Sequence, residues 1–367
     1  MRLVIKKEEV SDILQSVLNI IPPRTTLPIL QNFLIEAQKN QLKFAATDLD
    51  IFFSSFIQTE VKEEGSITVP ARKFVDIIRE LPEVPIYMRV DEDVIAIECE
   101  KSFFRLTGIN KEEYPDVPEL GEASVIKIDG ATLLRLINKT SFAISTDETR
   151  PALCGLLWQI SGEEMTVVTT DGHRLAFLRK LNMPKREKRE VIIPPKVLNL
   201  LTRLISPEIE IDVRFEEGRI GFYFNNTVVI SRLIDAAYPD YNTVIPKDND
   251  KIIKVNKDKF ISAIRRVSLF SDIHTHLIKL SLKENLIKLF SSSTESGEAS
   301  DEVVCSYKGE ELEIGYNANY LLGVLKCIEG DDVVCQLKSS DKAGTMISTK
   351  QKENEELLYL LMPIRLN

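Results

Sequence analysis

Long apolar runs are missing from this chain. No stretch reaches the roughly 18 residues that a membrane-spanning helix needs, so no membrane partner is expected. The first segment, Met1 to Val10, already carries Lys6, Lys7, Glu8 and Glu9 and does not read as a signal peptide. Cysteine is sparse. Cys99, Cys154, Cys305, Cys327 and Cys335 are scattered, odd in number and never spaced as CxxC. That speaks against a disulfide framework and for reduced thiols in a cytoplasmic, bacterial-type setting. A phosphate-binding loop, a GxGxxG fingerprint and a metal-ligand cluster are absent as well. His274-x-His276 offers two ligands without a third, so neither metal nor cofactor is expected. Asp171 and His173 lie two apart and, on a strand, would share a face. Their motif contains no nucleophile, and no catalytic residue is expected.

A basic balance is also lacking. Lys and Arg total 47 against 56 Asp and Glu, a net charge of -9. Nucleic-acid binders usually show the opposite sign, so any such role must rest on where the charge sits. What remains is a globular composition, 44% hydrophobic and 28% charged, over 367 residues, enough for two or three domains.

The chain repeats itself three times. A strand-like run ending in proline and entering an amphipathic helix covers Ile67 to Leu81, with Pro70 at the junction. It returns over Val191 to Ile205 around Pro194, and over Glu313 to Ile328 with Asn317 in place of the proline. The junctions are 124 and 123 residues apart. Proline suits a first helical turn, and asparagine caps one. Each repeat has a second helix. Val10, Ile13, Leu14, Val17, Leu18 and Ile21 form one apolar stripe. Leu133, Leu136, Ile137, Thr140 and Ile144 form another behind Asp129 as cap, and Phe260, Ala263, Ile264 and Val267 a third behind Asn256. Period-two segments flank Asp91 to Asp93 and Glu217-Gly218 and predict β-hairpins. Tyr114-Pro-Asp116 and Tyr238-Pro-Asp240 close the first two repeats in the same way.

The fold class expected is therefore α+β: three tandem copies of one domain, each with two helices packed on antiparallel sheets. The boundaries fall at 1–122, 123–249 and 250–367.

Charge separates along the same lines. The six predicted helices (6–20, 70–80, 129–144, 194–205, 256–270 and 317–328) carry nets of -1, +1, +1, +2, +3 and +1. They hold +7 together, which leaves -16 on the rest of the chain against the total of -9. A basic set of helices with an acidic remainder suits a protein that lines a path for DNA and repels it elsewhere.

Six segments together resemble a known family. Arg24-Thr-Thr-Leu-Pro-Ile-Leu30, Ala46-Thr-Asp-Leu49 and Val69-Pro-Ala-Arg-Lys-Phe74 lie in the first third. Thr170-Asp-Gly-His-Arg-Leu-Ala176, Tyr238-Pro-Asp-Tyr241 and Met362-Pro-Ile-Arg-Leu366 follow in order. The chain resembles, from end to end, the bacterial DNA sliding clamp, the DNA polymerase III β subunit. The resemblance implies a non-catalytic processivity factor. Two copies would close head-to-tail as a homodimeric ring around double-stranded DNA, helices inside. Contacts would be phosphate-directed and without sequence preference, retention being topological. Arg24, Arg72, Arg79, Lys139, Lys196, Arg203, Arg265 and Arg266 are the candidate DNA contacts.

The resemblance also implies one pocket where replicative polymerase, clamp loader and repair proteins dock short peptide motifs with a Gln and apolar anchors. Its residues would be Leu153, Thr170, Gly172, His173, Arg174, Leu175, Pro239, Val244, Leu360, Met362, Pro363, Ile364 and Arg365, with Asn317 and Tyr320 on the rim. Met346 is a further candidate wall residue. Arg150 matches a family residue near the groove, whereas Pro151 and Ala152 replace bulkier ones. Ring closure would set Leu269 and Phe270 against Phe103 to Leu106, including Arg105. Glu295, Glu298, Asp301 and Glu302 would face Lys73, Lys101 and Arg105. The alternative is a repeat scaffold that binds peptides without encircling DNA.

Overall fold

A computed structural model describes residues 1–121, 125–294 and 297–366. The expected boundary at 122 and 123, and Glu295 of the expected interface, lie outside the described residues. The chain forms two compact units, Met1–Arg135 with Lys196–Leu233, and Leu136–Pro195 with Ile234–Asn367. The middle third is thus shared between the units, and the reason is hydrogen bonding. In the first unit an eight-stranded antiparallel sheet joins Thr227–Arg232 of the second repeat to Ile51–Gln58 of the first. In the second unit a twelve-stranded sheet joins Arg174–Lys180 of the second repeat to Glu355–Leu361 of the third. Pairing between repeats removes the open edges that separate domains would leave.

Six helices form where the apolar periodicity predicts them: α1 (Lys7–Val17), α2 (Ala71–Glu80), α3 (Gly130–Thr140), α4 (Pro195–Leu204), α5 (Lys257–Ser268) and α6 (Ala318–Cys327). The caps follow the sequence. Asp129 accepts a hydrogen bond from the Thr132 amide at 2.7 Å. Asn256 accepts from Lys259 N at 3.1 Å, and Asn317 from Asn319 N and Tyr320 N at 2.9 and 3.2 Å. Each such cap contributes about 1 kcal/mol. Pro70 precedes α2, and Pro195 opens α4. The stripes are buried: Val10, Leu14 and Val17 on α1, Phe74, Val75 and Ile78 on α2, and Phe260, Ala263, Ile264 and Val267 on α5. Within the first unit α1 packs on α2, and within the second α5 packs on α6. Each fully buried Leu, Ile or Phe contributes about 1.5–3 kcal/mol of transfer free energy.

Two stripes end earlier than predicted. Val17 closes α1, so Ile21 lies beyond it, and a 3-10 turn at Ser141–Ala143 stops α3 before Ile144. Both predicted hairpins form, Ile86–Asp91 with Val94–Cys99 and Glu210–Glu216 with Arg219–Phe224. Gly218 supplies the positive φ of 69° that the second turn needs. All five cysteines are free thiols. Among the described residues no helix is long and apolar enough to cross a membrane.

Candidate functional site

The pocket is built in the second unit on the turn between strands Glu164–Thr170 and Arg174–Lys180. Asp171 organises that turn. Its Oδ1 accepts from His173 N at 2.9 Å and Arg174 N at 3.0 Å, and its Oδ2 pairs with Arg174 Nε at 3.0 Å. Asp171 and His173 therefore do not share a strand face. The carboxylate is engaged by the amides of its own turn and by the Arg174 guanidinium. Gly172 has φ +90°, so the backbone requires glycine, and the tip of the Arg150 side chain, Nη1, would lie 3.0 Å from a Cβ there. Thr170 closes the loop, donating its hydroxyl to Arg174 O at 2.7 Å and accepting from Gly172 N at 3.1 Å.

Arg174 ties the turn to α6. Its guanidinium lies over the Tyr320 ring at 4.6 Å and the Phe142 ring at 5.3 Å. Gly323 leaves room for it, since Arg174 Nη1 would stand 3.2 Å from a Cβ at that position. His173 stacks on the other part of this cluster, with its ring 6.2 Å from that of Tyr320. Met362 N donates to His173 O at 2.8 Å and fixes the C-terminal segment beside the turn. Pro151 opens a 3-10 turn, Pro151–Cys154, that carries Leu153 to the pocket wall. Ala152 packs on the cluster of Leu157, Val168, Leu175, Phe177, Ile192 and Leu360. Arg150 is anchored by Asp147 at 3.0 Å and donates to Asp171 O at 3.3 Å. Hydrogen bonds from Thr149, and then from Arg150, hold the Asp147 carboxyl below its ordinary range.

These elements enclose a cavity of about 200 Å³ with mostly apolar walls. Nine expected residues line it: Leu153, Thr170, Gly172, Arg174, Leu175, Pro239, Val244, Leu360 and Met362. Six do not reach it. His173, Asn317 and Tyr320 belong to the stack and cap beside it. Pro363, Ile364 and Arg365 lie past it, with Ile364 N bonded to Gly315 O at 2.8 Å. Met346 is buried in its strand and is no wall residue. Asp240 and Tyr241 line the cavity and were not among the expected residues, although both stand in the Tyr238-Pro-Asp-Tyr241 segment. Asp240 caps the 3-10 turn Tyr241–Thr243. The Tyr241 hydroxyl donates to Gln159 Oε1 at 2.7 Å, and burial raises the pKa of that phenol. Val244 and Met362 are the large apolar wall residues exposed to solvent, at 51% and 40%.

The candidate DNA contacts divide into exposed and engaged cations. In the first unit Arg24 and Arg203 are exposed, and Arg72 reaches the Ile21 carbonyl at 3.4 Å. Arg79 pairs with Asp76 at 2.9 Å and with Glu80 at 3.3 Å. Lys196 is held by Asp48 and by the Ile20 carbonyl. In the second unit Arg265 is exposed. Lys139, only 17% exposed, donates to Cys327 O at 2.7 Å and pairs with Glu329 at 3.1 Å. Arg266 pairs with Asp301 at 2.6 Å. In that last pair Asp301 meets a cation of its own chain. The compensation of Lys139 and Lys196 likewise lowers the free charge expected of them.

Two strands with backbone left partly unpaired carry residues of the expected interface. Ser102–Thr107 is the last strand of a five-stranded sheet in the first unit. It presents Phe103, 53% exposed, with Arg105 5.3 Å from the Phe103 ring, and a half-buried Leu106. Lys73 on α2 and Lys101 are exposed. In the second unit Gly297–Ser306 pairs with Leu286–Ser293 along its length but with Lys251–Asn256 only at its end. Exposed Leu269, at 76%, half-buried Phe270 and exposed Glu298 and Glu302 belong to this unit.

Tandem copies of one domain, joined through shared sheets, define a repeat protein with an apolar pocket on its second unit. Three successive domain profiles match the chain: the N-terminal, central and C-terminal domains of the DNA polymerase III beta subunit, over residues 1–118, 127–240 and 242–365. The beta sliding clamps of Chlamydia muridarum and Bacillus subtilis are 31% and 33% identical to it, over the full length of both chains in each case. A crystal structure of the Pseudomonas aeruginosa sliding clamp bound to griselimycin superposes with a TM-score of 0.94 at 32% identity. That of the Bacillus subtilis clamp gives 0.93 at 32%, and all of this chain and of each solved chain is covered. The chain belongs to the DNA polymerase III beta subunit family, the bacterial sliding clamps, which are non-catalytic processivity factors that encircle DNA.

Proposed function

We propose that two copies of this chain close head-to-tail around duplex DNA and tether partner proteins through the pocket beside the Asp171 turn. The observation that carries the tethering is the cavity itself, in which nine family-motif residues from distant parts of the chain line one apolar space of about 200 Å³. That volume suits one or two Leu or Phe anchors of a short peptide, and the Thr170 and Arg174 polar groups suit its backbone or a Gln side chain. Replicative polymerase, clamp loader and repair proteins are the partners of this reading. Ring closure joins the open edge of Ser102–Thr107 in one copy to that of Gly297–Ser306 in the other. Phe103 and Leu106 meet Leu269 and Phe270, and Glu298 and Glu302 face Lys73, Lys101 and Arg105. Each of the three repeats then acts as one domain, over 1–122, 123–249 and 250–367.

Arg24, Arg72, Arg203 and Arg265 make the main phosphate contacts, with Arg79, Lys139, Lys196 and Arg266 contributing once their own carboxylates let go. The setting is cytoplasmic, in keeping with five free thiols. Light scattering tests ring closure. The expected mass is twice the 41.7 kDa of one chain, and L269E should return it to 41.7 kDa. A monomeric wild-type protein that still binds Gln–Leu–Phe peptides would instead favour a scaffold that encloses nothing.

A further inference from the structure

The five-stranded sheet of the first unit has a solvent-facing side that holds none of the candidate DNA contacts or pocket residues named above. Leu3, Ile5, Ile86 and Met88 point into the core and are buried. Side chains alternate along a strand, so Arg2, Tyr87 and Arg89 project from the opposite face. Strand register sets Arg2 directly opposite Arg89. Like charges in that position destabilise a strand pair. On the next strand Ala96 faces Arg89, and Glu98 faces Tyr87. The short Ala96 side chain leaves a low floor. Above it opens a cavity of about 260 Å³ walled by Arg2, Lys62, Tyr87, Arg89 and Glu98.

Three cations therefore meet one carboxylate in the cavity. Their other acidic neighbours are not among its walls: Glu63, opposite Arg2 on the strand at its other side, lies 3.9 Å from it, and the Lys62–Glu60 and Arg89–Asp91 pairs are at 3.8 and 3.7 Å. Every side chain in these pairs is more than half exposed. Such long, solvated pairs contribute little and leave guanidinium donors free for a ligand. Tyr87, 52% exposed, adds a large aromatic surface beside them.

We propose that this cavity is a docking site for an acidic peptide segment of a partner protein. One carboxylate of the segment bridges Arg2 and Arg89, and an adjacent apolar side chain lies on Tyr87. The planar guanidinium fork matches a carboxylate in two-point contact, and an anion between the two arginines removes their repulsion. A peptide fits better than a nucleic acid strand. Glu98 stands inside the cavity and Glu60, Glu63 and Asp91 surround it, so a backbone charged at every nucleotide would meet carboxylates, whereas a peptide places its charges singly.

Fluorescein-labelled peptide of alternating Glu and Phe is the probe, with a Gln-for-Glu version and a labelled oligothymidylate as controls. Saturable anisotropy with the Glu peptide, weakening as salt brings the screening length to about 10 Å, is expected. R2E/R89E should weaken it by about tenfold or more. Y87A should weaken the Glu–Phe peptide but not octaglutamate. R89Q should weaken binding, by less than R2E/R89E, without a lower melting temperature, which separates loss of the site from loss of the fold. Equal binding of the Gln version, tighter binding of the oligothymidylate, or affinity unchanged in R2E/R89E would overturn the proposal.

Discussion

Truncating Met362 should empty the peptide pocket's outer wall without disturbing the fold. Met362 is 40% exposed and lines the cavity from the C-terminal segment. It contributes little to the core, so M362A should shift stability by no more than about 0.5 kcal/mol. Its thioether is free to adapt to an incoming apolar anchor. Losing that wall should cost about 1–2 kcal/mol of binding, a drop of about 5- to 30-fold in affinity. Leu175 supplies the contrast. It lines the same cavity but is 1% exposed and belongs to the cluster beneath. L175A should therefore cost about 2–5 kcal/mol of stability as well as affinity. Fluorescence polarisation with a labelled Gln–Leu–Phe peptide, beside thermal melts of both variants, separates the two effects. Full affinity in M362A, or a melting loss in M362A as large as that in L175A, would refute the placement of the pocket.

Other expectations follow from single contacts. G172A should lose peptide affinity and about 1–2 kcal/mol of stability, since φ +90° disfavours any Cβ; denaturant melts and polarisation check both. D301N should release Arg266, and binding to short duplex DNA measured against salt should then show a steeper slope than in wild type. Glu36 gives a pH signature. Its burial raises the carboxyl pKa, but Lys43 and Lys111, each at 3.2 Å, outweigh that and leave it below the ordinary glutamate range. A lowered folded-state value stabilises the fold above the unfolded pKa. The advantage of wild type over E36Q should therefore be full at neutral pH and vanish as pH falls through the lowered value, as melts across pH would record.

What the sequence made legible was local. The helix stripes, the caps at Asp129, Asn256 and Asn317, and the prolines at the strand–helix junctions all act within one or two turns, so they stand in the linear pattern. The pocket was legible to the extent that its residues sit in compact motifs, and Asp240 and Tyr241 lay inside one of them. Cation neutralisation was not legible. Lys139 meets Glu329 across 190 residues, and Lys196 meets Asp48 across 148, distances over which no periodicity speaks. The pairing of strands between repeats was hidden for the same reason. Thr227–Arg232 and Ile51–Gln58 each read as a strand, but nothing local names the partner.

Topological retention is the central claim, and a single cut tests it. The protein is loaded by a clamp loader onto nicked circular DNA, isolated by gel filtration in salt that strips ordinary phosphate binders, and the circle is then cut once. Encirclement predicts that the complex survives the salt while circular and is released when the DNA becomes linear. Retention indifferent to cutting but abolished by modest salt would contradict it.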